Sequence, residues 1–130
     1  MHFRTAYRSA LFAGLCFAAA ALAACGGGGD DDDAGGRATG VAGVPDGSAF
    51  IDQDNLKFMP KELSVSASEP VYFKNTETTL HTVTINGTNE SGNMKKDQVF
   101  TWTPPGPGEY KITCDFHAQM KATVTVAGPA

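Results

Sequence analysis

The residues best suited to chemistry lie in one short segment near the end of the chain. Cys114, His117 and Met120 are spaced as C-x2-H-x2-M, and a further histidine, His81, lies upstream in the segment L-H-T-V-T-I. Two imidazoles and a thiolate in one plane, with a more distant thioether, suit both Cu(I) and Cu(II). The sequence therefore predicts one copper site with His81, Cys114, His117 and Met120 as ligands, in the arrangement typical of electron transfer.

Other uses of these donors fit the sequence less well. Structural zinc sites use cysteine and histidine and gain little from a methionine. A binuclear copper centre needs a second cysteine in the loop, and multicopper oxidases need His-x-His pairs, which the sequence lacks. A hydrolase built on Cys114 and His117 would need an orienting third group or a glycine-rich nucleophile elbow, and neither accompanies them. We therefore expect no enzymatic activity. A metal-free interaction module is disfavoured because all four ligands are present.

The start of the chain resembles a bacterial lipoprotein signal peptide. Two arginines precede an apolar run over residues 10–24, which is shorter and richer in alanine than a membrane span. The run ends in L-A-A-C at Cys25, like a lipobox, which implies cleavage before Cys25 and lipid attachment to its sulfur. The alternative is an ordinary signal peptide with a chance cysteine. We expect residues 1–24 to be removed and the rest to be anchored on the periplasmic or extracytoplasmic face of a bacterial membrane. In bacterial lipoproteins an aspartate directly after the lipidated cysteine favours retention in the inner membrane of many Gram-negative cells. Gly26 stands at this position here, which favours the outer membrane.

Once this leader is removed, each remaining cysteine and histidine has a predicted role. Cys16 leaves with the leader and Cys25 carries the lipid, so Cys114 is the only free thiol and no internal disulfide is possible. The two remaining histidines are also the two predicted ligands. The formal net charge is −4, and no basic patch is visible, so a nucleic-acid partner is not expected.

The middle of the chain divides into a linker and a folded domain. Residues 25–47 are glycine-rich and include the run Asp30–Asp33, a composition typical of a flexible spacer. From residue 48 to residue 130 we place a single folded domain. Within it, apolar side chains alternate with polar ones over short segments separated by proline and glycine turns, which is typical of half-buried strands. Strands are predicted near 48–52, 62–67, 71–75, 81–86, 97–103, 109–114 and 121–127.

About seven short strands predict an all-β fold, a Greek-key β-sandwich. Cys114 then ends one strand and Met120 starts the next, so the turn between them carries His117. Three ligands on one hairpin loop must lie at one end of the sandwich. His81 begins another strand and can lean in from the adjacent position.

Residues 48–127 resemble the cupredoxin (small blue copper protein) family, most closely the plastocyanin/amicyanin group. The resemblance lies in F-M-P-K-E-L-S-V (58–65), V-Y-F-K-N (71–75), L-H-T-V (80–83) and G-E-Y-K-I-T-C (108–114). It implies the cupredoxin fold, one type 1 copper and one-electron exchange with a redox protein donor and acceptor. It also implies that His81, Cys114 and His117 are equatorial ligands and that Met120 is axial. We expect a monomer.

Two positions depart from the family pattern. Thr82 stands where an asparagine often ties the ligand loops together, and a hydroxyl offers fewer hydrogen bonds than an amide. Ala118 stands where the amicyanin-like loop often has proline. The sequence therefore predicts a less rigidly held loop. An alternative function, copper buffering or delivery, would use the same four ligands.

Overall fold

The computed structural model describes residues 36–128, and these form nine β-strands and no helix. The strands are β1 (Ala49–Asp54), β2 (Lys57–Met59), β3 (Glu62–Val65), β4 (Val71–Asn75), β5 (Thr84–Ile85), β6 (Thr88–Asn89), β7 (Val99–Trp102), β8 (Gly108–Thr113) and β9 (Lys121–Val126). Within this range no helix has the length and apolar character needed to cross a bilayer. The predicted leader and Cys25 lie outside the described residues.

The strands form two mixed sheets that pack as a β-sandwich. One sheet has the order β2-β1-β4-β7 and the other β3-β9-β8-β5-β6. The β1–β4 and β3–β9 pairs are parallel, and the other neighbours are antiparallel. Both sheets contribute buried side chains to one core, among them Ile51, Phe58, Phe73, Ile112 and Val124. The predicted all-β sandwich is confirmed.

The alternating sequence pattern explains which face of each strand is buried. In β9, Ala122, Val124 and Val126 are buried, whereas Lys121 and Thr125 on the alternate positions are exposed. Successive side chains of a strand point to opposite faces, so this pattern places one apolar row against the opposite sheet. The long strands β4, β8 and β9 lie close to their predicted ranges for this reason.

Two of the nine strands were not predicted, because they are only the second arms of tight hairpins. β2 follows β1 after Asn55 and Leu56, whose φ angles are 50° and 56°. β6 follows β5 after Asn86 and Gly87, with φ angles of 49° and 86°. Positive φ at both central residues is the geometry of the two-residue type I′ turn. Strands of three and two residues are too short to show an alternating pattern.

The predicted strand at 81–86 is wrong in its extent. Only Thr84–Ile85 forms a strand there, and His81 makes an isolated bridge with Met94. Between them the backbone leaves the regular ladder: the Val83 N–H donates to Ser91 Oγ at 2.7 Å instead of to a neighbouring strand. Strand β5 therefore begins only at Thr84, and the backbone of His81 pairs with that of Met94 in a single isolated bridge.

The folded part begins before residue 48, so residues 36–47 are not the free spacer that composition predicted. Ala38 and Val44 are buried, and the Ala38 N–H donates to the Ser48 carbonyl at 2.9 Å. Gly36 has a φ of 59°, and a Cβ there would lie 2.1 Å from Leu63 Cδ1, so the close approach requires glycine. Close packing explains Gly36, whereas Gly40 and Gly47 have open space around them.

An ion pair holds the same segment to the turn between β3 and β4. The Arg37 guanidinium hydrogen-bonds the Glu69 carboxylate, and this bond lowers the pKa of Glu69 and raises the pKa of Arg37. Glu69 also accepts from the Ser66 N–H at 2.9 Å. Because the pair is solvent-accessible, we treat it as a positional tie of the segment and not as a large source of stability.

Candidate metal centre

The loop between β8 and β9, residues 114–120, carries three of the four predicted ligands. Thr113 and Lys121 face each other in the β8–β9 ladder and close the base of the loop. Cys114 follows β8 directly, Met120 precedes β9 directly, and the Met120 N–H donates to the His117 carbonyl at 3.0 Å. The loop is thus a tight turn that presents His117 between two residues fixed by strand ends.

His81 reaches the same end from the segment between β4 and β5. Its backbone pairs with that of Met94: the His81 N–H donates to the Met94 carbonyl at 3.2 Å, and the Met94 N–H donates back at 2.8 Å. The His81 side chain is fully buried. Met94 is buried in the core and serves as the backbone partner of His81.

Three donor atoms converge into a small triangle. His81 Nδ1 lies 3.2 Å from His117 Nδ1, and Cys114 Sγ lies 3.7 Å from the first nitrogen and 3.5 Å from the second. A point equidistant from all three lies about 2 Å from each, close to the bond lengths of about 2.0–2.3 Å that a first-row metal makes to imidazole and thiolate. The spacing therefore fits a bound metal ion, with Nδ1 as the ligand atom of both histidines.

Burial differs among the predicted ligands. His81 and Met120 are fully buried, Cys114 is 5% exposed, and His117 is half-buried. Since His117 Nδ1 faces the other two donors, the opposite edge of its ring is directed away from the cluster. His117 is the ligand nearest to solvent. Met120 lies beside the triangle in sequence and at the same end of the sandwich, and its axial role stays a prediction.

A carboxylate that sequence analysis missed supports His81 from behind. Glu77 Oε1 hydrogen-bonds His81 Nε2, and the same oxygen accepts from the Leu56 N–H at 3.0 Å. With its proton on Nε2, the His81 ring leaves the Nδ1 lone pair free to face the cluster. Carboxylates that accept from a ligand histidine fix its tautomer and orientation in this way. Only a glutamate four residues before a histidine signalled this contact, and that spacing is common in sequences without any metal site.

The loop that carries Glu77 is organised by the buried amide of Asn75. Its Nδ2 donates to the carbonyls of Thr79 at 2.7 Å and Met94 at 2.9 Å, and its Oδ1 accepts from the Glu77 N–H at 3.0 Å. One side chain at the end of β4 thus fixes both the loop that leads to His81 and the backbone partner of His81. Contacts outside the ligand loop therefore help to position His81.

The two departures from the family pattern have different outcomes. Thr82 is fully buried, and its Oγ1 accepts from the Asp115 N–H at 2.9 Å, so it ties the segment of His81 to that of Cys114. The connection between the ligand loops, which an asparagine often makes in the family, is therefore made here by the shorter side chain of Thr82. Ala118 is exposed in the turn after His117.

A β-sandwich that brings two imidazoles and a thiolate together at one end, with a buried methionine beside them, has the donor set of a type 1 copper protein. The sequence profile of the cupredoxin-like domain matches residues 41–126, and the chain belongs to this family. The match starts within the segment that composition had assigned to the linker. No curated protein sequence matches the chain.

Among solved structures, amicyanins are similar to this chain. A single-site amicyanin mutant in its reduced Cu(I) form at pH 4 is 29% identical, with a TM-score of 0.60, over 67% of this chain and 89% of that chain. Amicyanin from Paracoccus versutus (Thiobacillus versutus) is 27% identical, with a TM-score of 0.62, over 67% and 88%. A second mutant, in its reduced state, is 30% identical, with a TM-score of 0.61, over 67% and 89%.

Proposed function

We propose that this protein is a blue copper electron carrier, held by a lipid on Cys25 at the extracytoplasmic face of a bacterial membrane. The observation that carries the proposal is the triangle of His81, Cys114 and His117 donors at one end of a cupredoxin sandwich. Copper bound there supplies a one-electron Cu(I)/Cu(II) couple, and Met120 is proposed as its weak axial ligand.

Contacts from outside the cluster hold these donors in place. His81 is fixed by the Met94 bridge and by Glu77, and Cys114 is fixed at the end of β8. His81, Cys114 and Met120 are buried, which limits the access of water to these side chains. A site with preset donors needs little reorganisation when an electron arrives or leaves, which suits a carrier.

The surface around His117 supports electron exchange with protein partners. Phe116 is 53% exposed and Leu80 is 40% exposed, and the Phe116 ring centre lies 6.4 Å from that of His117. We call these two residues with Ala118 the apolar rim. Weak redox encounters use small interfaces, and an apolar rim beside the most accessible ligand allows a partner to approach the His117 ring briefly. We include in this proposal one redox protein that donates the electron and another that accepts it.

Phe116→Lys is expected to slow electron exchange with a redox protein by about tenfold, which corresponds to about 1.4 kcal/mol of lost encounter stability. The cause is a charge placed in the centre of the docking surface, at a position that contacts no ligand donor atom. Stopped-flow mixing of the reduced protein with an oxidised partner measures the rate, while the visible spectrum and copper affinity stay unchanged. Met59→Lys is the matched control, since Met59 is also exposed but lies on β2.

The same experiment separates the carrier from a copper store. A protein that buffers or delivers copper would exchange electrons slowly before any substitution, and would hand Cu(I) to a chelating acceptor faster than it exchanges electrons. In that case Phe116→Lys would change metal transfer and leave the electron rate as it was. That pattern would replace electron carriage with copper delivery as the proposed function.

Cys25→Ser is expected to move the protein from the membrane fraction to a soluble or unprocessed form, because several acyl chains on one sulfur hold a protein firmly where one chain does not. Fractionation and intact-mass measurement check this. Cys16→Ser is the matched control and is expected to leave the mature mass and the location unchanged. Wild-type protein found in the soluble fraction without lipid mass on Cys25 would refute the anchor and leave the copper proposal intact.

A further inference from the structure

Asp115 directly follows Cys114 and, although it is exposed, makes three hydrogen bonds to another part of the chain. Its N–H donates to Thr82 Oγ1 at 2.9 Å, its Oδ1 accepts from Thr84 Oγ1 at 2.6 Å, and its Oδ2 accepts from Asn89 Nδ2 at 2.8 Å. All three partners lie on the chain between His81 and the end of β6. One residue thus joins the ligand loop to the segment that carries the opposite ligand.

The directions of these bonds are fixed by chemistry. Thr82 Oγ1 and Thr84 Oγ1 lie 3.1 Å apart. An ionised carboxylate only accepts, and each hydroxyl has one proton to donate. Thr84 therefore gives its proton to Asp115, which leaves Thr82 to donate to Thr84 and to accept from the Asp115 N–H. The result is a closed ring of three hydrogen bonds, in which each donor has one acceptor.

The ring lies on a rigid support. Thr82 and Thr84 are buried, and Thr84 faces both Thr113 of β8 and Asn89 of β6 in the ladder. Asn89 is itself held, since its Oδ1 accepts from the Gly92 N–H at 2.8 Å. Charge-assisted hydrogen bonds to a carboxylate are stronger than neutral ones. The carboxylate of Asp115 is therefore the component of the ring that a neutral side chain replaces least well.

We propose that Asp115 is a positioning residue of the metal centre: the ring it closes with Thr82 and Thr84, secured by Asn89, sets the spacing between His81 and Cys114. The inference rests on the proposed copper site. The sequence predicts a loosely held loop because Thr82 replaces an asparagine, and the proposal assigns the missing support to the carboxylate of Asp115. Asp115 contacts no donor atom of the cluster and acts through the backbone that places the Cys114 sulfur.

The test compares variants of the full chain in an uncharged detergent. Asp115→Ala is expected to lower copper affinity by about 10–100-fold, the usual loss when an outer partner of a ligand is removed, and to alter the visible and electron paramagnetic resonance spectra. In the metal-free protein, hydrogen exchange at the amides of residues 114–119 should become faster. Asp54→Ala, which removes an exposed carboxylate at the end of β1, is the charge control and should change neither quantity.

A swap separates hydrogen bonding from charge. Asp115→Asn combined with Asn89→Asp exchanges donor and acceptor and keeps a bond between positions 89 and 115, and the amide oxygen at position 115 still accepts from Thr84. Copper affinity should return to within about threefold of the unsubstituted protein, against the 10–100-fold loss for the single alanine. Thr84→Val, which removes only one hydroxyl of the ring, should reproduce part of the alanine effect and guards against a folding defect at position 115.

Several outcomes would overturn the inference. Unchanged affinity, spectra and hydrogen exchange in Asp115→Ala would show that the ring does not position the site. A swap no better than the alanine variant would assign the effect to charge. If the unsubstituted protein fails to bind copper with an intense visible band, the proposed function itself fails, and that result is recognised before any variant is compared.

Discussion

Cys114→Ser is expected to abolish the intense visible band of the copper-loaded protein and to lower copper affinity by more than about 100-fold, the upper end of the loss for an outer partner of a ligand. The reason is that the band arises from charge transfer between a thiolate and Cu(II), and a serine hydroxyl does not ionise to replace the sulfur. Cys114 is also the only free cysteine among the described residues. Absorbance titration with Cu(II) measures both quantities.

The matched control is Cys25→Ser, the same chemical change at a cysteine that lies outside the described residues. It should leave the band and the affinity unchanged, whatever it does to membrane attachment. An unaltered spectrum in Cys114→Ser would remove the thiolate from the ligand set and with it the type 1 assignment. A colourless wild-type protein with tight copper binding would leave the donor triangle in place and exclude blue copper chemistry.

The donors were predictable from the sequence because their types are scarce. The chain has three cysteines and three histidines. Once those of the predicted leader and the predicted lipid site are set aside, the remainder coincide with a single short motif and one upstream histidine. The triangle of His81, Cys114 and His117 then follows from strand order, because a hairpin loop and the segment leading into the neighbouring strand meet at one end of a sandwich.

The supporting contacts were not predictable, because their signals are ordinary. Glu77 and Asp115 are acidic residues in loops, and nothing in their neighbours distinguishes them from solvated charges. Their roles depend on which backbone N–H or hydroxyl lies opposite, and Leu56, Thr84 and Asn89 are brought there by sheet register over long sequence distances. Hydrogen-bond partners are set by tertiary packing, which a local pattern does not encode.

Packed residues occur before the predicted boundary at residue 48, and composition did not reveal them for a related reason. Residues 36–47 contain only small or isolated apolar side chains among glycines, which resembles a spacer in composition. Yet Ala38 and Val44 are buried, and Gly36 is pressed against Leu63. Small side chains allow part of the segment to pack closely, so a few of its residues are buried while most of the others are exposed. Composition alone does not distinguish the two cases.

Glu77→Ala is expected to lower copper affinity by about 10–100-fold, as for other carboxylates that accept from a ligand histidine. Two effects combine. His81 loses the acceptor that holds its proton on Nε2, so its Nδ1 is no longer kept free, and the Leu56 N–H loses its partner at the turn between β1 and β2. Because His81 is fully buried, water does not readily replace the lost acceptor. Competition with a chelator of known affinity measures the change.

Glu77→Gln separates the negative charge from the hydrogen bonds, since a single amide oxygen still accepts from both His81 Nε2 and the Leu56 N–H. It should retain more affinity than Glu77→Ala, by about tenfold if the hydrogen bond to His81 is the main contribution. Glu69→Ala is the matched control: it removes a carboxylate that pairs with Arg37 at the N-terminal segment and should leave copper affinity unchanged. Equal affinity in Glu77→Ala and the unsubstituted protein would mean that the Met94 bridge alone orients His81, and that the carboxylate has no part in holding the metal ligand.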